Sequence, residues 1–138
     1  PSLVGSEMCI RDRMKIMESA ENYLETILVL SNKGDKVRSI DIVTETGYTK
    51  PSISRAVKSL KESGYISVDV HGYIDLLPSG RDIAEKIYER HRFLSKYLMK
   101  IGVSEETALT DACRIEHVIS EESFDKLKEF VRNLEQNS

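Results

Sequence analysis

The sequence of 138 residues has no Trp, two Cys, three Pro and seven Gly. So little Pro and Gly excludes a collagen-like or linker-rich chain. Cys9 and Cys113 are too few for a disulfide framework. No apolar run approaches the roughly 18 residues of a membrane span. The first residues also lack the apolar segment of a secretory signal, so we expect a cytoplasmic protein that does not enter a membrane.

Catalytic motifs are also missing. The sequence contains no Gly-rich phosphate loop, no nucleophile elbow and no HExxH motif. A Cys-His dyad would need a base directed at Cys113, and the nearest His, His117, lies on the same predicted helix at a spacing that does not favour this. We therefore expect neither an enzyme nor a small-molecule substrate.

Charge is unevenly distributed along the chain. The net charge is −3, which by itself argues against a nucleic-acid partner. However, residues 33–63 carry seven basic and four acidic side chains, whereas residues 104–138 carry nine acidic and four basic ones. This asymmetry indicates that the N-terminal half contacts an anion and that the C-terminal half has another role.

The first 13 residues show neither helical nor strand periodicity, and Met14 resembles a natural start. We interpret residues 1–13 as a non-native or disordered leader; the alternative is a native disordered arm. Without this leader, Cys113 is the only thiol to explain.

Residues 14–78 predict a winged helix-turn-helix DNA-binding domain. A first helix, capped by Ser19, has apolar residues at the spacing of a core-facing surface. Ser39 is expected to cap a second helix that runs from Ile40 to Thr46. A third helix, with Thr49 or Lys50 as its cap, ends before Gly64. Two helices joined by a short turn that contains Gly are typical of a helix-turn-helix.

Two short alternating segments follow, Tyr65–Val70 and Tyr73–Leu76, with a possible turn at His71-Gly72. They predict a β-hairpin, which would be the wing. The alternative to DNA binding is a plain helical hairpin in a protein-interaction module.

Residues 79–138 predict a helical domain. One long helix runs from Pro78 through Lys100, a fifth begins at Ser104 and a sixth at Ser120. The sixth helix has more apolar residues than a free helix tolerates, so we expect it to form a two-fold dimer interface with the fifth helix and part of the fourth. These residues are Phe124, Leu127, Phe130, Val131 and Leu134. The predicted fold is therefore mainly α with a small β-wing.

Six side chains on the first, fourth and fifth helices could supply metal ligands. On the fifth helix a thiol, a carboxyl and an imidazole lie at i, i+3 and i+4 and so share one face, which is typical of a transition-metal site. On the fourth helix, an imidazole lies within the apolar stripe. On the first helix, an amide and a carboxyl group lie one turn apart. The six are Cys113, Glu116, His117, His91, Asn22 and Glu25.

Each of these residues also has a simpler interpretation. His91 would be a hydrogen-bonded core residue, and Glu116 with His117 would form a solvated helix face. Cys113 would be a small buried apolar residue.

Four segments carry a recognisable pattern: SAENYLETI, TKPSISRAVKSLKESGYI, YERHRFLSKYL and, most specifically, DACRIEHVISEE. Through these segments the sequence resembles the diphtheria-toxin-repressor family of iron- and manganese-dependent transcriptional repressors. The resemblance covers Met14 to about Gln136. It implies a winged-helix DNA-binding half and a helical dimerisation half, with a divalent metal held between them as activator.

The resemblance also implies roles for single residues. His91, Cys113, Glu116, His117 and Glu25 match metal-ligand positions of the family. Asn22 stands where other members have Met or Asp, and its amide oxygen brings neither sulfur nor charge. Four residues match positions that contact DNA in the family: Thr49, Pro51, Ser52 and Arg55. Lys58, which follows on the same helix, is expected to contact phosphates.

The function that this resemblance implies is a homodimeric repressor of metal-homeostasis genes that binds a double-stranded DNA operator when Mn or Fe is bound, with Zn also possible. Members selective for iron have Cys at the position of Cys113, and manganese-selective members have Glu there, so the metal stays open. One alternative is a metal-independent winged-helix regulator. Another is a redox sensor that uses the Cys113 thiol, although it lacks an obvious resolving cysteine.

Overall fold

The structure, a computed structural model, describes residues 18–34 and 36–137; the predicted leader, residues 1–13, lies outside this range. A helix covers residues 18–32 and is named α1. The other elements are α2 (Ser39–Thr46), α3 (Lys50–Glu62), β1 (Ile66–Val68), β2 (Ile74–Leu76), α4 (Pro78–Lys100), α5 (Glu105–Val118) and α6 (Glu121–Gln136). The predicted mainly α fold with a small β-wing is confirmed.

The chain divides into two compact units, the first ending at Tyr88 and the second beginning at Glu89. The division falls within α4, which contributes its first half to one unit and its second half to the other.

Local capping explains the bounds of the helix-turn-helix in the first unit. Helix α2 is capped by Arg38 and not by Ser39 as predicted; the Arg38 backbone N–H donates to Asp41 Oδ2 at 2.8 Å. It ends at Gly47, whose φ of 76° suits a residue without a Cβ. Of the two predicted caps of α3, Thr49 is confirmed, because it accepts a hydrogen bond from the Ser52 backbone N–H at 3.3 Å, whereas Lys50 is the first residue of the helix.

The predicted Ser19 cap is wrong, because Ser19 lies inside α1, which already includes residue 18.

The wing is an antiparallel pair in which Ile66 lies opposite Leu76 and Val68 opposite Ile74. Its turn is built by Asp69, whose Oδ1 accepts hydrogen bonds from the backbone N–H groups of His71 at 2.8 Å and Tyr73 at 2.9 Å. Strand β1 therefore ends at Val68, two residues before the predicted end, because the Asp69 side chain satisfies the turn backbone.

The core of the first unit is aliphatic and fixes the helix-turn-helix against the wing. Each fully buried Leu or Ile contributes about 1.5–3 kcal/mol of hydrophobic stabilisation. The buried residues are Leu24, Ile27, Leu28, Val37, Ile42, Ile53, Leu60, Ile66, Ile74 and Ala84. Val37 also joins the wing, since its carbonyl accepts from the Ile74 N–H at 2.7 Å.

Gly80 in α4 is required by a close backbone approach. A Cβ at this position would lie 2.2 Å from the carbonyl oxygen of Tyr65. The neighbouring Ser79 hydroxyl donates to the carbonyl of Gly64 at 2.9 Å. The start of α4 is therefore fixed to the end of the helix-turn-helix.

In the second unit, the predicted starts of α5 and α6 are confirmed, and the structure has Ser104 and Ser120 as their N-caps. Ser104 accepts from the Thr107 backbone N–H, and Ser120 accepts from that of Ser123 at 3.0 Å. Helix α6 packs through Phe124, whose ring lies edge-on to Phe93 of α4 at 5.3 Å between centroids. No helix in the described parts of the chain is long and apolar enough to cross a membrane.

Candidate metal centre and DNA-binding surface

Glu116 of α5 is the centre of the candidate metal site. It is completely buried, and its neighbours on the same helix are Cys113 and His117, as their spacing predicts. One donor atom from each of these three side chains lies within 4.8 Å of the others. Sulfur, oxygen and nitrogen donors at this spacing fit a transition metal such as Mn, Fe or Zn.

An imidazole lies against each oxygen of the Glu116 carboxylate. His91 Nδ1 of α4 is 2.8 Å from Oε2, and His117 Nε2 is 3.2 Å from Oε1. A buried carboxylate is costly unless it is paired and hydrogen-bonded. The Glu116 carboxylate therefore lies between two imidazoles, that of His91 from α4 and that of His117 from α5.

The burial of these side chains distinguishes between the two interpretations of the sequence. Glu116 is buried, so it is not part of a solvated helix face. Cys113 is exposed, so it does not act as a small buried apolar residue. The side chain of His91 is one-quarter exposed and faces a carboxylate, which is compatible with either interpretation of that residue.

The two candidate ligands on α1, Glu25 and Asn22, belong to the first unit. Glu25 is buried, with 8% of its surface exposed. Asn22 is half-buried, and its Nδ2 donates to the Tyr48 hydroxyl at 3.4 Å. Their role as ligands stays a prediction.

The predicted DNA-contacting residues lie on one end and the outer face of α3. Ile53 and Leu60 are buried on the opposite face. Those that are exposed are Thr49, Pro51, Arg55 and Lys58, whereas Ser52 is half-buried. The Thr49 hydroxyl donates to Ser52 Oγ at 2.9 Å, so these two side chains are held together at the N-terminus of the helix.

Two further cations lie on the aromatic ring of Tyr73 in the wing. Lys36 Nζ is 4.9 Å and Arg38 Cζ is 4.4 Å from the ring centroid, and both side chains are exposed. The backbone bond between Val37 and Ile74 brings them there. Both residues belong to the basic segment of residues 33–63, but no pattern in the sequence indicates that they share the Tyr73 ring.

Comparison with known proteins identifies the family. Residues 15–74 match the iron dependent repressor N-terminal DNA binding domain, and residues 77–138 match the iron dependent repressor metal binding and dimerisation domain. The chain belongs to the iron-dependent repressor family.

Relatives and solved structures agree with this membership. The HTH-type transcriptional regulator MntR of Lysinibacillus sphaericus (strain C3-41) is 32% identical over 120 residues, 86% of each chain. A solved manganese-dependent transcriptional repressor in complex with manganese is 26% identical, with a TM-score of 0.72 over 80% of this chain and 51% of its own. The manganese regulator SloR, at 24% identity and a TM-score of 0.74, covers 82% of this chain and 53% of its own and supports the fold. This chain spans about half the length of the two solved structures.

The resemblance stated from the sequence is therefore confirmed. The chain is a metal-dependent transcriptional repressor of the iron- and manganese-responsive type, with a DNA operator and a second copy of itself as partners and with divalent Mn or Fe as cofactor.

Proposed function

We propose that this repressor is activated when Mn(II) or Fe(II) binds to Cys113, Glu116, His117 and His91 in the second unit. The observation that supports this best is the buried Glu116 carboxylate with an imidazole beside each of its oxygens. When bound, the cation supplies positive charge to this buried carboxylate. We also propose Glu25 and Asn22 as ligands, on the family resemblance alone.

The protein side chains have separate roles in this proposal. Glu116 holds both imidazoles close to one point, so little reorganisation is needed before a ligand set forms. Cys113 must lose its proton to become a ligand, and its exposure lets that proton leave to water. The mixed donor set does not by itself decide among Mn, Fe and Zn.

On the DNA side, we propose that Arg55 reads a base edge in the major groove and that Lys58 contacts phosphates. Thr49, Pro51 and Ser52 approach the DNA backbone at the N-terminus of α3, where the positive end of the helix dipole favours an anion. In a dimer, two copies of α3 would meet half-sites about 34–36 Å apart.

We propose α6 as the main element of the dimer interface. Exposed apolar residues follow one face of this helix: Leu127 at 41%, Phe130 at 62% and Leu134 at 55% exposure. Val131 is half-buried beside them. Phe124 differs from the prediction, because it is buried against Phe93 and is not available to a second copy. A repressor of this kind would act in the cytoplasm and would catalyse no reaction.

The ligand assignment can be tested by thermal unfolding with and without Mn(II). At free Mn(II) 100 times the dissociation constant, wild type should gain about 2.7 kcal/mol of stability. Glu116→Gln keeps the shape of the side chain and should lose this gain. The matched control is Glu105→Gln, an exposed carboxylate on the same helix, which should behave as wild type. Equal gains in all three proteins would contradict the assignment.

The exposure of Cys113 favours one other candidate function, a thiol-based sensor. The variant Cys113→Ser distinguishes the thiol-based sensor from the metal-activated repressor. A sensor would lose its response of DNA affinity to peroxide and keep its response to Mn(II), whereas the metal-site proposal expects weaker Mn(II) binding.

A further inference from the structure

Arg90, on α4, contacts the end of the helix that carries the candidate ligands. It is half-buried and immediately precedes His91. Its Nη1 donates two hydrogen bonds, to the carbonyl oxygen of Glu116 at 3.1 Å and to that of Ile119 at 2.9 Å.

Both carbonyls belong to the C-terminal end of α5, where the helix cannot supply partners of its own. The last four carbonyls of a helix lack intrahelical donors and carry the negative end of the helix dipole. Helix α5 ends at Val118, so Glu116 and Ile119 fall in this region. The guanidinium supplies both the donors and the positive charge that this end lacks.

A third helix fixes the position of the guanidinium. Arg90 Cζ lies 5.6 Å from the centroid of the Phe124 ring in α6. Phe124 is buried and packs edge-on against Phe93. Arg90 is therefore held by α6 while it bonds α5, and it leaves α4 one residue before His91.

We propose that Arg90 is a positioning residue of the metal centre: it fixes the last turn of α5, which carries Glu116 and His117, against His91. This inference rests on the proposed function of these residues. Without Arg90 the last turn would open more often, and a cation would have to order it on binding. Such outer partners of metal ligands typically change metal affinity by about 10–100-fold.

The donor geometry distinguishes Arg90 from a lysine. One guanidinium nitrogen reaches both carbonyls in a planar group whose orientation Phe124 sets. A lysine would bring the same charge as a compact ammonium group on a flexible chain, without a planar group that the ring could orient. Arg90→Lys should therefore retain only part of the effect.

Lys128 of α6 provides a matched control. Its Nζ lies 2.7 Å from Glu89 Oε1 and 5.0 Å from the Phe124 centroid. Like Arg90, it joins α4 to α6 beside the same ring, but within the described residues it makes no hydrogen bond to α5. Lys128→Gln should loosen this packing without changing the metal centre.

The experiment measures the Mn(II) dissociation constant of the full chain by competition with a chelating dye, and the visible spectrum of the Co(II)-loaded protein. Arg90→Gln should bind Mn(II) about tenfold or more weakly and show altered Co(II) bands, Arg90→Lys should be intermediate, and Lys128→Gln should equal wild type. Circular dichroism verifies folding; if Arg90→Gln is unfolded, Arg90→Lys takes its place.

Two results would overturn the role of Arg90. One is wild-type affinity and spectrum in the folded Arg90 variant, and the other is an equal loss in Lys128→Gln, which would indicate general packing. Failure of the proposed function would look different: Glu116→Gln would then bind Mn(II) as tightly as wild type.

Discussion

The Nδ1 of His91 lies 2.8 Å from Oε2 of Glu116, which joins α4 to α5 within the second unit. The two residues are 25 positions apart in the sequence. Their contact places an imidazole from one helix beside the carboxylate that also faces His117, so ligands from two helices are already close to each other. Sites whose side chains are held in place need less ordering when a ligand binds.

Replacing Arg55 tests how α3 reads DNA. Arg55→Ala should cost about 1–3 kcal/mol on the preferred operator and relax specificity at one position, because a bidentate contact to a base edge would be lost. The measurement is affinity for a panel of single-base operator variants. Lys58→Ala serves as the comparison and should weaken all sequences alike. An even loss across the panel for Arg55→Ala would make Arg55 a phosphate contact.

The wing cations offer a second test. Lys36 and Arg38 share the Tyr73 ring on the exposed side of the wing, so we expect them to contact phosphates. Lys36→Gln should weaken binding to all duplexes and reduce the slope of log affinity against log salt by about 1. Lys86→Gln, an exposed lysine on α4, is the control. An unchanged slope in Lys36→Gln would place the wing away from DNA.

The dimer interface is tested at Phe130, which is 62% exposed on α6. Phe130→Asp should weaken dimerisation by about 2 kcal/mol or more, because an aromatic side chain that the second copy would cover is replaced by a charge. Sedimentation equilibrium measures the change. Val70→Asp alters an apolar residue that is 95% exposed in the wing and should leave the dimer intact. A wild-type protein that is monomeric at tens of micromolar would argue against the interface altogether.

The wing turn should respond to acid. The backbone N–H groups of Tyr73 and His71 donate hydrogen bonds to Asp69 and hold the pKa of its carboxyl group below the ordinary value of about 3.9. The bond from Tyr73 has the larger effect. Ionised Asp69 therefore stabilises the folded wing. This contribution to stability is complete at pH values above the pKa of Asp69 in the unfolded chain. It is lost as the pH falls through the lower pKa that Asp69 has in the folded protein.

Side-chain NMR should find the Asp69 pKa below that of an Asp in an unstructured peptide, with the amide signals of His71 and Tyr73 moving at the same pH. Asp69→Asn should abolish this shared transition. An Asp69 pKa equal to or above that of the unstructured peptide would contradict the turn as described.

Local features of the fold could be predicted from the sequence because their causes lie within a few residues. The sequence predicts Thr49 as a cap of α3 and the starts of α5 and α6 at Ser104 and Ser120, and in the structure each of these side chains accepts from a backbone N–H three residues later. The predicted span of α4, Pro78 to Lys100, is confirmed because Pro favours a first turn and Gly102 stops the helix. Ser39 failed as a cap because the Arg38 backbone is held by Asp41 instead.

The remaining features depend on contacts between distant parts of the chain. The periodicity of α5 placed Cys113, Glu116 and His117 on one face, but only packing decides that Glu116 is buried and Cys113 exposed. The two hydrogen bonds of Arg90 and the sharing of Tyr73 by two cations follow from tertiary structure. No local pattern in the sequence distinguishes those residues from other surface cations.

Operator affinity measured with Mn(II) and with chelator tests the central claim most directly. The operator is first selected from random duplexes in the presence of Mn(II), and fluorescence anisotropy then gives the affinity of wild type and of His117→Ala. Wild type should bind much more tightly with Mn(II) than with chelator, and His117→Ala, folded as judged by circular dichroism, should bind weakly in both. Equal wild-type affinity with Mn(II) and with chelator would contradict a metal-activated repressor.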